Sequence, residues 1–125
     1  MTAKAGKLVW FDLTVENAAE VRDFYQQVVG WSPDPVEMGD YQDFSMKADD
    51  GSVVAGICHK RGENQTLPSQ WMIYISVDDL EKSLAAVTAN GGKILVPTRG
   101  GGGSRFTVIQ DPGGAVCTLF EQKDA

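Results

Sequence analysis

A single histidine, His59, two cysteines far apart, Cys58 and Cys117, and carboxylates at the ends of apolar runs are what this 125-residue chain offers for acid–base or nucleophilic work. Divalent-metal catalysis needs several nitrogen or oxygen donors converging on one point. One histidine does not make such a site. His59 reads as a partly exposed residue at a strand end, with a general base as the alternative. Asp12 and Glu121 read as carboxylates on solvated strand ends, the alternative being a place at a cavity mouth. Glycines 100–103, between Arg99 and Ser104-Arg105, suggest an anion cradle, but a phosphate loop places a helix N-terminus behind its glycines. The segment that follows, Arg105–Gln110, reads as a strand, so the glycines are expected to form a flexible loop able to fold over a cavity.

The elements that must position these groups follow from periodicity. Lys7–Val15 alternates, with Val9, Phe11, Leu13 and Val15 on one face and Trp10, Asp12 and Thr14 on the other. Asn17 stands where a helix cap belongs, Glu20 where the acid of a capping box belongs, and Val21, Phe24, Tyr25 and Val28 recur at helical spacing up to Gly30. Tyr41–Lys47 and Ser52–His59 read as strands joined at Asp49-Asp50-Gly51, with a weaker strand near Val36–Met38, and residues 60–69 read as a linker. The pattern then repeats. Trp71–Val77 alternates, Asp79 can cap a helix carrying Leu80, Leu84 and Val87, and Gly91-Gly92 stops it. Lys93–Pro97, Arg105–Gln110 and Ala115–Glu121 supply three more strands, the last two separated by Asp111-Pro112-Gly113-Gly114. Val15 aligns with Val77 and Gly30 with Gly92 at one common offset, which marks a duplicated unit of strand, helix and three strands that must pair with its copy.

Composition bounds the partners. With 42% hydrophobic and 22% charged residues the chain is of the soluble globular kind, long enough to bury a core without disulfides. A formal net charge of −6 repels nucleic acid and anionic membranes and attracts cationic small molecules; Lys60-Arg61 is the nearest thing to a basic patch. Two isolated cysteines read as free thiols, and Leu8–Phe11, cut off by Asp12, is too short for a signal or spanning segment, so a cytoplasmic protein is expected. Neither nucleic acid nor membrane is expected as a partner.

The stretch Phe11-Asp12-Leu13-Thr14-Val15, followed by residues 21–31 (VRDFYQQVVGW), resembles the opening of glyoxalase and bleomycin-resistance proteins of the vicinal oxygen chelate superfamily. Residues 74–80 (YISVDDL), the helix end Ala89-Asn90-Gly91-Gly92 and Asp111-Pro112-Gly113-Gly114 before the last strand are similar to its second half. The resemblance covers nearly the whole chain. It implies a single α+β domain over residues 1–125 of two paired βαβββ modules, one at about 7–60 and one at about 70–122, with a linker at 61–69. The modules' strands would form a curved mixed half-barrel around a cavity with helices outside, and a chain this short would form a homodimer. The family's enzymes carry one metal ligand on the first and fourth strand of each module. Those positions fall here on Trp10, on Ala55 or Gly56, on Met72 and on Thr118, none of which replaces an imidazole or carboxylate.

A metal-free member is therefore expected, with no cofactor. Trp10, Asp12, Met72, Tyr74, Thr118 and Phe120 are the expected ligand-binding residues, an aromatic and apolar wall with a few polar tips; filling of the half-barrel or a dimer seam is the alternative. No catalytic residue is assigned. The leading expectation is a cleft that binds a partly aromatic, cationic small molecule. A metal-independent isomerase or lyase using Tyr74, Asp12 or His59 is the runner-up, and a metal-dependent glyoxalase or dioxygenase fits least well.

Overall fold

A computed structural model describes residues 5–101 and 103–123. The elements follow in the order β1 (Leu8–Val15), α1 (Ala18–Val29), β2 (Ser32–Glu37), β3 (Gln42–Lys47), β4 (Val53–His59), a 3-10 turn (Gly62–Thr66), β5 (Trp71–Ser76), α2 (Leu80–Ala89), β6 (Lys93–Gly101), β7 (Ser104–Gln110) and β8 (Val116–Gln122). They form two compact units, residues 11–71 and, among those described, residues 5–10 with 72–123. The fold is α+β, and each unit carries a mixed four-stranded sheet and one helix. This is the βαβββ duplication expected from the sequence.

In the unit of residues 11–71 the sheet runs β2-β3-β4-β1, β1 and β4 being parallel and the other pairs antiparallel. Alternation on β1 sends Leu13 and Val15 into a core with Ala18, Phe44, Met46 and Ile57, closed by Val21, Tyr25, Trp31 and Trp71. Tyr25 stacks on Trp31 at 5.6 Å, and its hydroxyl accepts a hydrogen bond from Trp71 Nε1 at 3.0 Å. The helical stripe expected on α1 is narrower in the fold. Val21 and Tyr25 pack inward, whereas Phe24 and Val28 are exposed. Asn17 does not act as the expected side-chain cap, because its amide turns to Glu20 Oε1 at 3.0 Å instead. The helix ends as expected at Gly30, whose φ of 78° lets its N–H reach Gln26 O. The strand expected near Val36–Met38 is longer and begins at Ser32. It carries Pro33 and Pro35, which an outermost strand tolerates because a proline has no ladder N–H to lose.

In the other unit the sheet runs β5-β8-β7-β6. Leu80, Leu84 and Val87 of α2 pack on Ile75, Val77, Ile109, Cys117 and Leu119. Of the glycines after Arg99, expected as a loop, Gly100 pairs with Arg105 and Gly101 with Ser104, so both belong to the β6–β7 hairpin, while Gly103 stands in a turn. A Cβ on Gly100 would lie 2.6 Å from Ser104 O, and its φ is +99°, which is why glycine stands there. Gly102 lies outside the described residues.

Glu121 corrects the reading of a solvated strand-end carboxylate. It is 2% exposed, on the face of β8 turned to α2, where Oε2 accepts the Leu80 N–H at 2.7 Å and Oε1 accepts Arg105 Nε and Nη2 at 3.1 and 3.0 Å. Asp79 caps the same helix end through Lys82 N–H at 3.2 Å. Two carboxylates thus satisfy two of the N–H groups that a helix start leaves unpaired. The Leu80 N–H foremost, with the Arg105 guanidinium, holds the Glu121 carboxyl below its ordinary value of 4.5. Replacing Glu121 with Ala should lower unfolding free energy by about 2–4 kcal/mol in denaturant melts, because the Leu80 N–H is left buried and unpaired. A native pKa below the unfolded one stabilises fully above the unfolded value and is lost as pH falls through the native one. The stability gap between wild type and Glu121→Gln should accordingly hold at neutral pH and close in acid, which melts from pH 7 to 2 would check.

Candidate functional site

Residues that do not face a helix line the opposite face of each sheet, and the two units furnish it differently. In the unit of residues 11–71, register places Asp12 beside Gly56 and Thr14 beside Cys58 on β1 and β4, with Ser45 beside Gly56 on β3. Asp43 precedes Ser45 by two and shares its face, so two carboxylates, two hydroxyls and a thiol surround a glycine. Asp43 is buried; its Oδ1 accepts the His59 backbone N–H at 2.9 Å and lies 3.3 Å from His59 Nδ1. The His59 ring also meets Tyr41 edge-on at 5.6 Å. His59 is therefore a half-buried strand-end side chain oriented by a carboxylate.

In the other unit the corresponding face is aromatic. A cavity of about 320 Å³ is lined by Val9, Trp10, Tyr74, Phe120 and Gln122. Tyr74 pairs with Thr118 and Ser76 with Phe120 along β5 and β8; Phe120 pairs in turn with Phe106 on β7, and Phe106 with Arg99 on β6. The Tyr74 and Phe106 rings meet at 6.2 Å, and the Arg99 guanidinium lies 4.8 Å from the centre of the Phe106 ring. β8 runs between β5 and β7, and on it Thr118 is the register partner of both Tyr74 and Val108. Thr118 is fully buried, and its hydroxyl has no hydrogen-bond partner among the described residues.

Of the six residues expected to bind ligand, Trp10, Tyr74 and Phe120 line one cavity. Thr118 and Met72 are buried, and Asp12 belongs to the other unit. Phe106 and Arg99 were not singled out as wall residues, although Phe106 stands on an alternating strand that the sequence shows. The register shift in β6 between Val96 and Arg99 hides Arg99's face from any simple period. A second groove, of about 350 Å³, is lined by Phe11, Trp31, Val54, Ala55 and Trp71. Phe11 alternates with Leu13 and Val15, so it sits on the face that packs α1 and is wholly apolar.

The register also decides between Ala55 and Gly56. Asp12 faces Gly56 as Tyr74 faces Thr118, making Gly56 the counterpart of Thr118, while Ala55 points into the core beside Met46. The metal-ligand positions implied by the resemblance are thus Trp10, Gly56, Met72 and Thr118. Their side chains do not fit a divalent cation, and no group of three or more His, Cys, Asp or Glu gathers among the described residues.

The sequence profile of the glyoxalase/bleomycin resistance protein/dioxygenase superfamily matches residues 7–118. The chain belongs to that superfamily. It is 32% identical over 116 residues to the inferred glyoxylase CFP32 of Mycobacterium bovis, covering 90% of the chain and 44% of CFP32. It is 29% identical over 133 residues to the anthracycline biosynthesis protein DnrV of Streptomyces peucetius, covering 94% and 47%. The chain therefore spans less than half the length of these relatives. Among solved structures, a superfamily member from Vibrio splendidus superposes with a TM-score of 0.63 at 16% identity over 93% of this chain and all of that one. Methylmalonyl-CoA epimerase from Mycobacterium tuberculosis does so with 0.60 at 20% identity, over 99% and 94%. These likenesses carry the fold. Among the described residues no helix is long and apolar enough to cross a membrane.

Cys58 and Cys117 are free thiols. Burial pushes the Cys58 thiol far up, and the charges of Asp12 and Asp43 and a hydrogen bond to Asp43 add to it. Burial likewise raises Cys117, with Asp111 adding to the effect. A neutral thiol is a poor nucleophile. Peptide mapping after iodoacetamide treatment at pH 8 should show Cys58 reacting at least about tenfold more slowly in the native than in the denatured protein. Rapid native alkylation would place a thiolate at this position.

Proposed function

We propose that this protein binds a partly aromatic small molecule in the cavity of Trp10, Tyr74 and Phe120, without a metal ion. The observation that carries the reading is the conjunction of an aromatic-walled cavity with non-ligating side chains at the family's metal positions. Aromatic walls with a few polar tips are how small-molecule pockets gain affinity from area and orientation from single hydrogen bonds. The relationship to DnrV supports a ligand of this kind, because an anthracycline is a fused-ring aromatic compound. Exposed Phe24 and Val28 on α1 support association of two copies, and free thiols suit a reducing compartment such as the cytoplasm.

A second reading is a metal-independent isomerase or lyase, favoured by the Asp43–His59 contact, which orients an imidazole as acid–base catalysts require. Recovery of a bound ligand chemically unchanged after prolonged incubation would exclude it.

Calorimetric titration with a fused-ring aromatic compound should show Trp10→Ala weakening binding by about 1–3 kcal/mol with the fold intact. Unchanged affinity, or a stability loss of about 3–5 kcal/mol, would place Trp10 in a core instead of a wall. Elemental analysis of the purified, dialysed protein should find no stoichiometric zinc, nickel, manganese or iron. About one equivalent per chain, lost on chelation together with ligand binding, would overturn the metal-free reading.

A further inference from the structure

We infer that Gln122 is the polar recognition group of this cavity, so that the favoured ligand is a planar aromatic compound without formal charge whose edge carries a hydrogen-bond donor beside an acceptor, as a primary carboxamide or a lactam does. The inference rests on the cavity reading above and adds the ligand's charge and its polar edge. Thr118, Phe120 and Gln122 alternate along β8 and share one face, and burial falls along that row: Thr118 is fully buried, Phe120 half-buried and Gln122 exposed. The row has a closed end and an open one. Phe120 and Gln122 line the cavity together with Val9, Trp10 and Tyr74, which sets Gln122 at its mouth. A flat ring held against the aromatic side chains therefore turns its substituted edge toward the Gln122 amide.

The composition of the wall decides what that edge should be. The lining side chains are apolar, aromatic or amide, and none is a carboxylate, an amine or a guanidinium. The carboxylate next in sequence, Glu121, points to the other face of β8, where the Leu80 N–H and the Arg105 guanidinium hold it. A carboxylate or ammonium on the ligand would give up part of its hydration with no counter-ion in the wall, which costs more than moving a neutral group. Gln122 offers instead a carbonyl oxygen and an NH2 group side by side in one plane, and neither is engaged by another described residue. A ligand edge of the same kind meets both atoms at once and fixes the orientation of the ring, whereas an ester carbonyl meets only the donor. The formal charge of −6 favours a cation at long range, but it is screened within about 8–10 Å in physiological salt. At contact the neutral wall and the amide prevail.

The test uses four probes of one ring system: naphthalene-2-carboxamide, methyl 2-naphthoate, naphthalene-2-carboxylate and 2-(aminomethyl)naphthalene, titrated into the whole protein by calorimetry. The carboxamide should bind more tightly than either charged probe. Its affinity relative to the ester should fall about fivefold or more in Gln122→Met, which keeps the length of the side chain and removes both polar atoms. In Gln122→Glu the carboxamide should lose ground to the amine, because a carboxylate accepts from an ammonium but offers a ligand carbonyl no donor. Circular dichroism and melts of each variant show that it is folded; if Gln122→Met is not, Gln122→Leu takes its place. An amide-to-ester ratio unchanged by the substitution, an amine that gains nothing on the amide in Gln122→Glu, or tighter binding of either charged probe than of the carboxamide by the wild-type protein would overturn the inference while the cavity stands. Failure of all four probes to bind would overturn both readings.

Discussion

The constraint on which the rest of this structure depends is the two-residue period of the strand. Each strand that gives one face to a helix is left with a second face of unrelated composition, and the first must be apolar whatever the second does. Leu13 and Val15 under α1, and Ile75 and Leu119 under α2, are the same solution used twice. Duplication preserved that half of the pattern. The other half was free to diverge, and one module presents Asp12, Thr14, Asp43 and Cys58 around Gly56 where the other presents Tyr74, Phe106 and Phe120.

Glu121 shows how far a helix-facing position can depart from apolar composition. A buried carboxylate is tolerable only when its lone pairs are satisfied, and here a backbone N–H at the start of α2 and the Arg105 fork do so together. The side chain links the last strand, the helix start and β7, so it does in one module what aromatic packing of Tyr25, Trp31 and Trp71 does in the other.

Much of this was legible in the sequence. Element order, both helices and the duplicated unit follow from periodicity and from Gly30, Asp79 and Gly91-Gly92, because these signals are local. What failed depended on tertiary partners. Glu121 reads as a solvated terminus until α2 is seen to start against it, and Gly100 and Gly101 read as loop because their pairing with Arg105 and Ser104 has no local signature. Trp10, Tyr74 and Phe120 were visible as alternating residues on strands, and the structure puts them around one cavity. Thr118 was visible too, yet its complete burial depends on tertiary packing that no local pattern shows. Arg99 was hidden by the register shift that precedes it.

The prolines of β2 bear on how copies of this protein can meet. Pro33 and Pro35 are two apart on the outermost strand of their sheet, so the row of N–H groups that would face outward lacks two donors in succession. That border offers carbonyl oxygens with few hydrogens between them, and an incoming strand would find no ladder to extend. Lateral growth by sheet extension, the route to fibres, is blocked on this side by covalent structure instead of by charge. Any lasting association there must come from side-chain surfaces, which makes it specific, reversible and sensitive to single substitutions.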